Sequence, residues 1–164
     1  MNTELPQKRV KYVRDFAKRI VSENYPTLSP EDLPIDANKI AKNLGFEVHD
    51  LDSIDDKQSA IILRDAKLIG LNKKHHYHRT RFSLGHELGH FLLHHPTEED
   101  CTPDEIKVYN QEADEFAAEL LVPYALLKQL IKSNSTDQLS ARFRVSRDVI
   151  IIRAQQTRLF AHLS

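Results

Sequence analysis

Apolar residues recur along the chain with two different periods, and the change between them marks out its elements. Between residues 8 and 24, Val10, Val13, Phe16, Ala17, Ile20 and Val21 fall at helical spacing with Lys and Arg between them, so the pattern predicts an amphipathic helix closed by Pro26 and Pro30. Ile40, Ala41 and Leu44 predict a second, short helix, with Pro34 and Asp36 ahead of it and Gly45 at the position of a C-terminal cap. The period then shortens. EVHDL at 47–51, SAIILRD at 59–65 and KLIGLN at 67–72 are extended stretches rich in Ile, Val and Leu, separated by polar turns. They predict a small antiparallel three-stranded sheet whose last two strands form a tight hairpin around Asp65 and Ala66.

Helical spacing resumes from about Arg79 to His94, carried by Phe82, Leu84, Leu88, Phe91 and Leu92 and stopped by Pro96. TEEDCTPD at 97–104 reads as a loop, Glu105 to Leu121 as a helix closed by Pro123, Tyr124 to Lys132 as a short helix, and 137–160 as two more. No internal repeat interrupts this order. The expected organisation is an N-terminal helix in 1–30, a central α+β domain in 31–123 and a C-terminal helical subdomain in 124–164.

A chain of 164 residues suits one domain, or one domain with a helical appendage, and can bury most of its apolar surface, so folding needs neither a metal nor a disulfide. A single cysteine, Cys101, allows no internal disulfide, which points to a reducing, cytoplasmic setting. No apolar run approaches the length of a membrane span, and the segment after Met1 has no signal-type apolar region. The net charge of -1 gives no overall attraction to nucleic acid, although Arg142, Arg144, Arg147, Arg153 and Arg158 make the C-terminal part locally basic, as a solvated face would.

Chemistry concentrates in FSLGHELGHFLLHH, residues 82–95. His86, Glu87 and His90 form H-E-x-x-H: two imidazoles one turn apart share a helix face and can hold one Zn²⁺, while the glutamate beside them can take a proton from metal-bound water. His94 would lie about 12 Å along the axis from His86, too far for the same ion, and is expected to act at the helix end. His75, His76 and His78 could line the cleft mouth, but a polar, solvated turn is the expected setting. A third ligand is expected from the next helix, QEADEFAAELLVP at 111–123, whose stripe of Ala113, Phe116, Ala117, Leu120 and Leu121 would let it lie close to the histidine helix. Asp114 and Glu112 border that stripe from opposite sides.

The linked strings RFSLGHELGHFLLH and EADEFAAELLVP, with IAKNLGFEV and the strand pair SAIILRD and KLIGLN ahead of them, resemble the ImmA/IrrE family of HExxH metallopeptidases over about residues 36–160. The resemblance implies a gluzincin-like (zincin-like) α+β domain with His86 and His90 as zinc ligands and Glu87 as general base. In the family pattern the third ligand is a glutamate four residues before the Asn or Asp of the EA(N/D)xFA string. Here that position is Asn110, a neutral donor and a poor substitute for carboxylate on zinc. Asp114, one turn further on the same face, is the preferred replacement; Glu112, or a loosely held metal with hydrolysis lost, are the alternatives.

The resemblance also implies a role as partner of helix-turn-helix repressors, cleaved to release transcription in stress responses, mobile elements or toxin-antitoxin-like pairs. The leading expectation is therefore a zinc-dependent peptidase that cleaves such a DNA-binding repressor, and the second a catalytically silent module that binds one. An extended substrate is expected along the sheet edge near Lys67 to Asn72. Residues 139–159 have the spacing of a helix-turn-helix second half, but are expected to be packing helices, without direct nucleic acid binding.

Overall fold

Val13, Ala17, Ile20 and Val21 are all buried along one stripe of the first helix, α1 (Gln7–Asn24), in a computed structural model that describes residues 4–164. The first three residues of the expected 1–30 segment lie outside the described residues. Burial of Val13, Ile20 and Val21 contributes roughly 1.5–3 kcal/mol each, enough together to seat α1 firmly. Helix α2 (Ala37–Asn43) is capped by Asp36, whose carboxylate accepts from the Lys39 amide at 3.0 Å, and Gly45 leaves it at φ 90.

The sheet corrects one expectation. Strands β2 (Ala60–Leu63) and β3 (Leu68–Asn72) form the antiparallel hairpin, but β1 (Glu47–Leu51) runs parallel to β3, giving the order β1-β3-β2 and a mixed sheet rather than an antiparallel one. Parallel neighbours need a crossover of about a dozen residues or more, and residues 52–67, with β2 among them, supply it. Asn72, fully buried, steadies that crossover by donating to the Gln58 carbonyl at 2.9 Å. Because β3 is central, the edge near Lys67 to Asn72 is already paired on both sides; the free edge of this part of the sheet belongs to β2.

Helix α3 (Tyr77–Leu92) carries the histidines, and α4 (Pro103–Leu121) packs along it. Thr102 and Glu105 form a reciprocal capping box that starts α4, with Pro103 in its first turn. Gly85 and Gly89 face α4 so closely that an added Cβ would lie 3.1 Å from the Ala117 and Phe116 Cβ atoms. The seam is closed by small residues, as the alanine stripe suggested. Helices α5 (Tyr124–Leu130), α6 (Thr136–Phe143) and α7 (Arg147–Gln156) complete the chain, and one apolar cluster runs from Val13 to Leu159.

Helices α6 and α7 meet at Arg144, φ 51, and pack inward through Phe143, Ile150 and Ala154. Of the C-terminal arginines, Arg142, Arg144, Arg147 and Arg158 are exposed, whereas Arg153 is buried, paired with Glu119 and donating through Nε to the Val122 carbonyl at 3.2 Å. The result is an α+β architecture. Among the described residues no helix is long and apolar enough to cross a membrane.

Candidate metal centre

Residues at the rim of the glycine-alanine seam are brought together by its closeness. His86 and His90 each follow one of the glycines, and Asn110 and Asp114 each lie three residues before one of the facing alanines, so all four border one side of the α3-α4 contact. The Nε2 atoms of His86 and His90 stand 2.9 Å apart, and the Asn110 Oδ1 is 3.1 Å from the latter. These three atoms converge at the floor of a cleft of about 690 Å³ whose walls include β2, Arg64, Glu87 and the Pro96–Glu98 turn.

Asp114, expected as third ligand, takes a different place. Its carboxylate lies 2.7 Å from Nδ1 of His86, on the side of the ring away from Nε2. One turn of α4 separates it from Asn110, and the offset between the two helices sets Asn110, not Asp114, level with the paired Nε2 atoms. Glu112 is directed elsewhere again. It is 3% exposed, 2.6 Å from Nε2 of His95, and held by Arg9 of α1. Accordingly, among the described residues no three His, Cys, Asp or Glu side chains are grouped to hold a metal ion; the third converging atom is an amide oxygen.

The electrostatics divide the two histidines. Burial and the neighbouring His86 and His95 rings push the His90 pKa down to about 4. Burial also opposes protonation of His86, but the hydrogen bond and charge of Asp114 outweigh it and hold that ring above the ordinary imidazole value. Glu87 is raised above the usual carboxylate range, chiefly by burial, with His86 and Arg64 working against the shift. Such a group gives up its charge readily, which suits a proton acceptor that must later donate.

The donor set suits a divalent cation. A neutral imidazole whose Nδ1–H is committed to a partner presents a lone pair at Nε2, and two such lone pairs 2.9 Å apart repel unless a proton or a cation lies between them. His94 is exposed at the end of α3, away from this point, and His76 caps the start by accepting from the His78 amide at 3.1 Å. His75 is bound to Ser59 at 2.8 Å. What the sequence did not disclose is the layer behind the cleft, His95 and Arg9 above all, because nothing local marks residues that meet only when α1 docks.

A family model described as Peptidase_M78, IrrE N-terminal-like domain, matches residues 41–155. No curated protein matches the chain. Among solved structures, a Mycobacterium tuberculosis transcriptional regulator is similar with a TM-score of 0.66 and 19% identity, over 90% of this chain and 51% of that one. This chain thus spans about half of that regulator's length, and at that identity the likeness is one of fold.

Proposed function

From the premise that this chain belongs to the Peptidase_M78 family, with its IrrE N-terminal-like domain, we propose that it is a zinc-dependent peptidase acting on a regulatory protein. The observation that carries the proposal is the convergence of two imidazole nitrogens and an amide oxygen beside a half-buried glutamate in an open cleft. His86, His90 and Asn110 would hold the ion. When bound, Zn²⁺ supplies a Lewis acid that polarises a carbonyl and makes a water acidic.

The remaining chemistry belongs to side chains of this chain. Glu87, kept above its usual pKa by burial, takes the proton of the attacking water and returns it to the leaving amine. Asp114 accepts the Nδ1–H of His86 and keeps that ring's lone pair turned to the cleft. The free edge of β2 offers backbone groups to an extended peptide, which would bind by strand addition along the cleft wall. Strand addition demands an extended segment and little else. A loop or linker of a helix-turn-helix repressor fits that demand, and the fold neighbour's description as a transcriptional regulator supports this choice of target.

The zinc-loaded protein should cut peptides generated from the source organism's proteome, with cleavage sites mapped by mass spectrometry. Glu87→Gln should retain zinc and lose cleavage by a factor of about 10² or more. Cleavage by that variant at the wild-type rate would remove Glu87 from the mechanism. One observation favours a second reading, a silent repressor-binding module: Asn110 brings no charge to the site. Zinc content after dialysis against a weak chelator separates the two, since one retained ion per chain supports the enzyme and none supports the binder.

A further inference from the structure

The nitrogen of His90 that faces away from the cleft meets a buried polar chain for which the proposed chemistry has no use. That chain begins with a turn. Helix α3 ends in a Schellman motif: the His95 amide donates to the His90 carbonyl at 3.0 Å, the His94 amide to Phe91 at 3.2 Å, and His94 sits at φ 57. The chain reversal folds the His95 ring back against His90, with their Nδ1 atoms 2.8 Å apart. Tyr109 lies against the ring at 4.5 Å between centroids, and Arg64 donates to the His95 carbonyl at 2.5 Å. His95 is 3% exposed, so its ring has no solvent partner to turn to.

Beyond His95 the chain continues to α1. Nε2 of His95 lies 2.6 Å from Oε2 of Glu112. Arg9 grips that carboxylate with both arms of its guanidinium, Nε to Oε1 at 2.6 Å and Nη2 to Oε2 at 2.9 Å. These partners dictate where each proton sits. Arg9 can only donate, so the doubly bound Glu112 carboxylate is ionised and can only accept. Nε2 of His95 therefore carries a hydrogen. Arg9 already balances the Glu112 charge, leaving nothing to compensate a second proton on the buried ring, so Nδ1 of His95 is a lone pair. His90 must then donate through Nδ1, which leaves its Nε2 bare and facing Nε2 of His86 and the Asn110 oxygen.

We propose that Arg9, Glu112 and His95 are positioning residues that lock His90 in the one tautomer able to bind a metal, so that α1, outside the matched residues 41–155, is part of the metal centre. The purpose of the chain rests on the zinc reading above; the tautomer itself does not. His86 and His90 are thus oriented by different means, the first by an exposed aspartate and the second by a buried relay anchored on another helix.

Two measurements on the full chain test this. In the metal-free protein at neutral pH, long-range nitrogen-proton correlation of labelled histidines should find hydrogen on Nε2 of His95 and on Nδ1 of His90; hydrogen on Nε2 of His90 overturns the proposal. Zinc affinity by chelator competition should fall about 10- to 100-fold in His95→Phe, which keeps a ring beside Tyr109 but neither polar contact. His95→Gln, with an oxygen and a nitrogen spaced as in imidazole, should stay within about threefold of wild type. Arg9→Met, on a half-exposed position of α1, should weaken zinc in the same direction and decides the matter if His95→Phe fails to fold. Wild-type affinity in His95→Phe and Arg9→Met overturns the relay while leaving the metal reading intact. A wild type that holds no zinc overturns that reading, and the nitrogen spectrum still judges the relay.

Discussion

Asn110 presents a neutral amide oxygen to the point where the His86 and His90 nitrogens meet, and this single choice sets how strongly the three atoms could hold a dication. Replacing it with glutamate adds a formal negative charge at the ion and keeps an oxygen donor. Asn110→Glu should therefore tighten zinc by roughly tenfold or more, a change of about 1.4 kcal/mol or greater, read by chelator competition. Unchanged or weaker binding would mean that residue 110 does not face the ion. The nearness of His86 to His90 was legible in the sequence because four residues on a helix share a face whatever surrounds them. The separate places of Asn110 and Asp114 were not legible. They depend on how far α4 is slid along α3, and one turn of sliding exchanges them.

The elements explain why that slide has one value. Gly85 and Gly89 of α3 let the backbone of α4 approach, and a Cβ at Gly89 would sit 3.1 Å from Phe116 and 3.2 Å from the Ala113 Cα. A neighbouring backbone cannot step aside as a flexible side chain can. Gly89→Val should destabilise the fold by about 1–3 kcal/mol in urea unfolding and weaken zinc at the same time, because α4 is pushed from the histidines. A variant more stable than wild type would show that the seam can yield. Element positions followed from apolar periodicity, and α1, α2, the hairpin and α3 to α7 lie close to the predicted ranges. Strand direction did not follow. Alternation says which residues form a strand and says nothing about the sense in which β1 runs beside β3; residues 52–67 are long enough to permit a parallel crossover, and the placing of β3 between β1 and β2 in the folded sheet selects it.

Across the whole molecule, α4 ties three other helices together: α1 through Arg9 and Arg14, α3 through the seam, and α7 through the buried pair of Glu119 and Arg153. Removing one partner of a buried pair strands the other charge. Glu119→Ala should cost about 3–5 kcal/mol by denaturant unfolding, while leucine at both positions should cost less, since no unpaired charge remains. An equal loss in the two variants would show that packing and not charge is lost. Arg153 also marks the limit of reading charge from sequence: within a basic run it looks like its neighbours, yet it alone faces inward because α7 presents Ile150, Arg153 and Ala154 to the core.

By itself the sequence determined what depends on neighbours a few residues apart: the helices, the strands and the histidine pair on one face. Only the tertiary structure decided what stands behind that pair. Arg9 and Glu112 are 103 residues apart and His95 reaches Glu112 across 17, contacts that no periodicity encodes and that exist only once α1, α3 and α4 have docked. The physical reason is range: backbone geometry dictates spacing within a turn or two, whereas burial of three separate apolar faces dictates which polar edges those helices bring together.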